Sequence, residues 1–121
     1  MPLSVLVVDD DPAFRGVARR ILAVYGFDVV GEAGTAAAAA EAALMLRPDA
    51  VLVDVGLPDE DGVALAVKLA ALPWRPRVLL TSTDPEAVGA EDVLRSGATG
   101  FLPKQNLPEA PLERLFMAPS R

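Results

Sequence analysis

Val5-Leu6-Val7-Val8-Asp9-Asp10-Asp11 is the stretch that decides the fold. Four aliphatic residues with no polar alternation read as a strand covered on both faces, the kind found in parallel sheets. This one ends abruptly on three carboxylates. Ala50-Val51-Leu52-Val53-Asp54 repeats the design with a single acid. In such sheets ligands sit beyond the carboxyl ends of the strands, so these acids stand where chemistry is done.

Working outward, two further strands also end in polar residues. Arg77-Val78-Leu79-Leu80 runs into Thr81-Ser82-Thr83, and Gly100-Phe101-Leu102 into Pro103-Lys104. A weaker strand around Val29-Val30 leads into Glu32-Ala33-Gly34-Thr35 and matches none of the others. The segments between the strands carry helical period. Phe14, Val17, Ala18, Ile21, Leu22 and Tyr25 form one apolar stripe, with Arg15, Arg19 and Arg20 largely off it. Asp11 before Pro12 caps that helix and Gly26 stops it. Thr35 caps an alanine-rich helix from about Ala36 to Arg47, closed by Pro48, and Ala36 to Ala40 reads as a close-packing face. A third helix covers roughly Gly62 to Leu72 and is closed by Pro73. Asp84-Pro85-Glu86 predicts the start of a fourth, running to Arg95-Ser96 with Gly97 as its stop. The last spans about Pro111 to Met117, with Pro119 after it.

Five strands alternating with five helices predict an α/β fold: a flavodoxin-like, doubly wound parallel sheet with helices on both faces. Right-handed crossovers make 2-1-3-4-5 the economical strand order. Strands one and three are then neighbours, which brings Asp9, Asp10 and Asp54 together. Trp74, just ahead of the fourth strand, falls at the opposite end of the sheet.

The chain has 121 residues, which predicts one domain over 1–121. No apolar stretch approaches the roughly 18 residues of a membrane span. Met1-Pro2-Leu3-Ser4 lacks a basic leader segment, so cytoplasmic residence is expected. There is no cysteine and no histidine, which removes thiolate and imidazole metal sites and the commonest general base. A formal charge of −6 disfavours direct contact with a nucleic-acid backbone. Ala118-Pro119-Ser120-Arg121 reads equally well as a terminus or as the start of a linker.

Carboxylates packed this closely repel, so they share protons, move apart or hold a cation. Hard oxygen donors alone suit Mg²⁺ or Mn²⁺, and an open coordination position then invites a phosphoryl oxygen. Lys104 offers a positive charge for a second oxygen and Thr81 a hydroxyl for a third. Asp54, single on a central strand end, is the candidate nucleophile, becoming an aspartyl phosphate. Asp9 and Asp10 are the pair that holds the metal. Positioning and charge neutralisation carry most of phosphoryl transfer, so no separate base is required.

In order and spacing, VLVVDDDP, VLVDVGLPDEDG, LLTST and GFLPK resemble the receiver domain of bacterial two-component response regulators, over essentially the whole chain. The resemblance implies that Asp54 is phosphorylated by a histidine kinase or a histidine phosphotransfer protein. It implies Mg²⁺ held by Asp10, Asp54 and the Gly56 carbonyl, with Asp9 acting through a metal-bound water. Thr81 and Phe101 would then switch, altering the surface of the fourth helix, fifth strand and fifth helix, through which members of the family often form homodimers. The output would be a change of affinity for an effector domain or downstream protein, a signalling switch rather than an enzyme. Pro103-Lys104-Gln105 lacks the proline that often follows the lysine and resembles receivers of LuxR/NarL-type regulators, so no cis bond is expected after Lys104. Gly56 and Thr83 occupy positions expected to set the lifetime of the acyl phosphate.

Each residue alone has a plainer explanation. Phe101 would be core; Asp9-Asp10-Asp11 would cap a helix, Asp54 would be a loop acid, Lys104 would be a solvated side chain and Thr81 would bond backbone. Four such coincidences at four strand ends favour function. A phosphohydrolase of the haloacid dehalogenase kind is disfavoured because Val55-Gly56-Leu57-Pro58 lacks a second acid two residues after Asp54. Nucleotide binding is disfavoured by the lack of a Gly-x-x-x-x-Gly-Lys loop after the first strand. A pseudo-receiver scaffold is the alternative, although neither the acids nor the lysine is lost.

Overall fold

The computed structural model describes residues 2–117. Its elements run β1 (Ser4–Val8), α1 (Pro12–Val24), β2 (Asp28–Ala33), α2 (Ala36–Leu46), β3 (Ala50–Asp54), α3 (Gly62–Ala70), β4 (Arg77–Ser82), α4 (Ala90–Ser96), β5 (Gly100–Pro103), a 3₁₀ helix (Lys104–Glu109) and α5 (Leu112–Met117). The strands form one parallel sheet in the order β2-β1-β3-β4-β5, as the apolar runs predict. Met1 and the Ala118–Arg121 tail, with the Pro119 expected to follow the last helix, lie outside the described residues.

Strand alternation sorts the core into two layers. Leu6 and Val8, Val51 and Val53, Val78 and Leu80 pack on one face with Ala39, Ala43, Leu65 and Leu69. Val5 and Val7, Leu52 and Leu79 pack on the other with Leu22, Leu107 and Phe116. Both faces of β1 and β3 are therefore covered, which is why neither strand alternates polar with apolar. Burial at roughly 1.5–3 kcal/mol per side chain makes this centre rigid enough to hold carboxylates at its edge.

The helix caps follow local sequence. Asp11 accepts the Ala13 N–H at 2.9 Å and Thr35 Oγ1 the Ala38 N–H at 3.0 Å. Ala36, Ala39 and Ala43 are the buried face of α2, so its alanines serve close packing. Gly26 and Gly97 follow their helices with φ of +89° and +82°, a conformation that glycine adopts without strain.

Three boundaries differ from expectation. The fourth helix begins at Ala90, not at Asp84-Pro85-Glu86. Asp84 caps only a turn there, accepting the Glu86 N–H at 2.9 Å. Residues 83–87 are exposed and bury no apolar stripe, and Gly89 is extended at φ −77°, ψ 160°, so the turn does not propagate. The third helix ends at Ala70, short of Leu72. A 3₁₀ helix over Lys104–Glu109, without helical apolar period and with Pro108 inside it, adds a sixth helical segment and leaves α5 to begin at Leu112. No cis peptide occurs among the described residues.

Trp74 lies at the end of the sheet away from the acids. Its indole N–H donates to the Pro48 carbonyl at 2.9 Å, and Arg47 stacks 4.3 Å from its ring centre. Among the described residues no helix is long and apolar enough to cross a membrane.

Candidate functional site

The central pairing builds the site. Val8 is in register with Val53 and Asp54 with Thr81, so Asp9, Asp54 and Thr81 emerge side by side at the carboxyl edge. Asp9 still belongs to the sheet, since its N–H donates to the Ala33 carbonyl at 2.9 Å. Its side chain is fully buried, Asp54 and Thr81 are buried, and Asp10 is exposed.

Lys104, delivered by the end of β5, reaches across to the acids. Its Nζ lies 2.6 Å from Asp9 Oδ2, 3.6 Å from Asp54 Oδ2 and 4.5 Å from the centre of the Phe14 ring. Asp9 Oδ1 accepts the Asp11 N–H at 2.9 Å. The lysine contact on Oδ2 is close but not directed as a hydrogen bond, so that buried oxygen lacks a hydrogen-bond partner.

Burial pushes the Asp9 carboxyl above its ordinary range, and the nearby Asp54 charge pushes the same way. Lys104 and the Asp11 N–H pull it back without cancelling the rise. Burial pulls Lys104 down, but its pairing with Asp9 and Asp54 outweighs this and leaves its pKa raised. Lys104 is therefore a firm cation beside the two carboxylates.

The donor set fits a hard divalent cation. Asp9, Asp10 and Asp54 each present a carboxylate oxygen, all within 4.8 Å of one another. Asp9 Oδ2 is buried and held only by the Lys104 ammonium among the described residues, without a directed hydrogen bond, so it keeps acceptor capacity for a metal or its water. Gly56 lies beside them, its N–H donating to Asp54 Oδ1 at 3.2 Å. A Cβ there would stand 4.0 Å from either Asp54 oxygen, so glycine leaves the face of the carboxylate open.

The two expected switch residues sit differently. The Thr81 hydroxyl donates to the Val53 carbonyl at 3.4 Å, a long bond that is easily exchanged. Phe101 is half-buried and packs on the core layer that holds Leu80 and Val93. Thr83 is exposed and lines, with Phe14, Val17, Ile21, Lys104 and Gln105, an open groove of about 380 Å³ beside α1.

Three neighbours of the site escaped sequence reasoning. Arg15, off the apolar stripe of α1, donates to the Asp9 carbonyl at 2.6 Å and pairs with Glu32 at 3.0 Å; Arg19 adds a second contact to Glu32 at 3.3 Å. Phe14 belongs to the apolar stripe, but its ring serves the Lys104 ammonium. Asp59, in the loop after Asp54, accepts the N–H groups of Ala36 and Ala37 at 2.8 and 3.1 Å. Arg15 sits one turn into a helix that starts beside the acids, which is a usable signal; no linear pattern links Asp59 to Ala36.

Residues 5–115 match the family described as the response regulator receiver domain. The transcriptional regulatory protein NarL of Mycobacterium tuberculosis is 39% identical over 105 residues, covering 86% of this chain and 49% of that protein. BvgA of Bordetella pertussis, named for positive transcription regulation of virulence factors, is 35% identical over 107 residues, covering 88% and 51%. Among solved structures, the signal receiver domain of the Mycobacterium tuberculosis NarL superposes with a TM-score of 0.81 at 35% identity, covering 94% of this chain and 96% of that one. The chain spans about half the length of the curated relatives it matches.

Proposed function

This chain belongs to the response regulator receiver domain family, and from that premise we propose that it is a phosphoacceptor switch, a single receiver domain over 1–121, phosphorylated on Asp54. The observation that carries this is the Lys104 ammonium set between the Asp9 and Asp54 carboxylates, 2.6 and 3.6 Å away. Asp10, Asp54 and the Gly56 carbonyl, with Asp9 through water, would hold Mg²⁺ or Mn²⁺. When bound, the ion supplies neutralisation of phosphoryl charge.

An Asp54 carboxylate oxygen attacks the phosphorus of a phosphohistidine. A P–O bond forms and the P–N bond breaks. The electron pair stays on the ring nitrogen, and the imidazole leaves neutral because its other nitrogen carries a proton. Lys104 steadies an equatorial oxygen, and the open face above Gly56 admits the donor. Thr81 then exchanges its long bond to the Val53 carbonyl for a phosphoryl oxygen, and Phe101 responds to that movement. Charge-assisted bonds at about 1.5–3 kcal/mol each supply much of the roughly 5 kcal/mol needed to invert a two-state equilibrium.

The donor is a histidine kinase or a histidine phosphotransfer protein, for which the groove along α1 is a fitting approach. The output is altered affinity for an effector domain, a downstream protein or a second copy through the α4, β5 and α5 surface. No direct nucleic-acid contact is expected of a domain with charge −6, and a cytoplasmic setting suits a kinase partner. Intact-protein mass spectrometry after incubation with a small acyl-phosphate donor, with and without Mg²⁺, tests this. A single phosphoryl adduct that needs both Mg²⁺ and Asp54 supports the proposal. An adduct that survives Asp54→Asn places the phosphoryl group on another residue and overturns the assignment of Asp54, and no adduct even with a kinase as donor points instead to a scaffold that keeps its acids.

A further inference from the structure

Asp59 stands five residues after the proposed phosphoacceptor, on the loop that joins β3 to α3. Its two carboxylate oxygens accept the Ala36 and Ala37 N–H groups at 2.8 and 3.1 Å, while Thr35 takes the Ala38 N–H from within α2's own chain segment. The start of α2 is thus capped twice, once locally and once from a loop more than twenty residues away. That loop is fastened elsewhere too. Val55 N–H donates to the Thr81 carbonyl and Gly62 N–H to the Val55 carbonyl, both at 2.9 Å. Asp61 caps α3 through the Val63 N–H at 3.0 Å, and Glu60 pairs with Lys68 at 2.7 Å.

Between Gly56 and Asp59 the fastening is thin. Among the described residues Gly56 has only its 3.2 Å bond to Asp54 Oδ1, Leu57 is anchored by burial, and Pro58 has no N–H to give. The Asp59 carboxylate is therefore the polar tie that sets where this part of the loop lies. It fastens it to the segment immediately after β2, whose Ala33 carbonyl in turn receives the Asp9 N–H. The lowered pKa of Asp59, caused by the Ala36 and Ala37 N–H groups, agrees with a carboxylate gripped as an anion.

We infer that Asp59 is a positioning residue for the cation site: by clamping the β3–α3 loop to the start of α2 it holds Gly56, and with it the carbonyl proposed as a ligand, in register with Asp9, Asp10 and Asp54. This rests on the proposed Mg²⁺-dependent function. A residue that merely stabilises α2 would change unfolding and nothing else. A positioning residue changes the affinity for the ion.

The test is isothermal titration of Mg²⁺ into wild type, Asp59→Ala, Asp59→Asn, Thr35→Ala and Asp54→Asn, alongside their thermal unfolding. Removing a group that orients a metal ligand weakens binding by about tenfold or more, so Asp59→Ala should raise the Kd for Mg²⁺ by that factor. Asp59→Asn, keeping one acceptor, should fall between it and wild type, and covers the case in which the alanine variant does not fold. Thr35→Ala, which uncaps the same helix without touching the loop, should lower Tm and leave the Kd unchanged. Equal Kd values for both Asp59 variants and wild type overturn the inference while the proposed function stands. So does a Thr35→Ala variant as weak as Asp59→Ala. Wild type that takes up no Mg²⁺, or binds it unchanged in Asp54→Asn, overturns the proposed function and this inference with it.

Discussion

Replacing Gly62 with alanine should damage the fold and the site together, because helix α3 begins against the backbone of Asp54, the proposed phosphoacceptor. A Cβ built at Gly62 falls 2.2 Å from the Asp54 carbonyl oxygen, 2.6 Å from Val55 Cα and 2.9 Å from the Asp54 carbonyl carbon, where ordinary contact begins at 3.4 Å. The obstruction is main chain on every side, so no side chain can rotate away. Relief requires α3 and the end of β3 to separate by roughly 1 Å, an overpacking whose cost lies at the upper end of the usual range, about 3 kcal/mol. For a domain of this size that lowers Tm by about 10 °C. Urea unfolding followed by Trp74 fluorescence measures it, since that ring sits at the far end of the sheet and reports the fold rather than the site. A displacement of about 1 Å at the reacting carboxylate should also slow adduct formation by about a hundredfold. Gly16→Ala is the control. It lies within α1 with nothing within 4 Å of its added Cβ, so it should stabilise by about 0.5–1 kcal/mol and leave phosphorylation untouched. A Gly62→Ala variant within about 0.5 kcal/mol of wild type and phosphorylated at the wild-type rate would refute the reasoning.

Lys104→Ala removes the only cation within reach of Asp9 Oδ2 among the described residues, and should cost the metal-free protein about 1–3 kcal/mol. It should nevertheless keep Mg²⁺ binding and take the adduct while losing the amide chemical-shift changes at Thr81 and Phe101; an equal loss of Mg²⁺ affinity would tell against its assigned role. Asp59 gives a pH dependence. Its folded pKa lies below the ordinary 3.8, so its contribution is complete above that value and disappears as pH falls through the depressed one. The difference in Tm between wild type and Asp59→Asn should therefore be constant at neutral pH and close in acid, and a gap that persists at the acid end would disprove the pairing.

Much of this was legible in the chain. Uninterrupted apolar runs ending on Asp9 and Asp54 fix which strands are central, because only strands covered on both faces lack alternation. The caps at Asp11 and Thr35 were legible because capping is local. The start of α4 was misread for the same reason, since Asp84-Pro85-Glu86 satisfies the local rule while nothing apolar beneath it sustains a helix. The 3₁₀ turn that begins at Lys104 carries no period to read. Asp59 and Arg15 act across tertiary distances, on Ala36 and Ala37 in one case and on the Asp9 carbonyl in the other, and such bonds exist only once the helices are placed. Gly62 was seen as a helix start, but its closeness to the Asp54 backbone belongs to packing.

The pairing of β1 with β3 has a kinetic meaning. Val5 meets Ala50 across the whole segment that carries α1, β2 and α2, a long loop whose closure entropy precedes any reward. Every strand-borne acid of the site waits on that one event, since Asp9 and Asp10 arrive with β1 and Asp54 with β3. On the proposed reading, competence to accept a phosphoryl group appears and vanishes with the central pairing, so phosphorylation would report folded molecules alone.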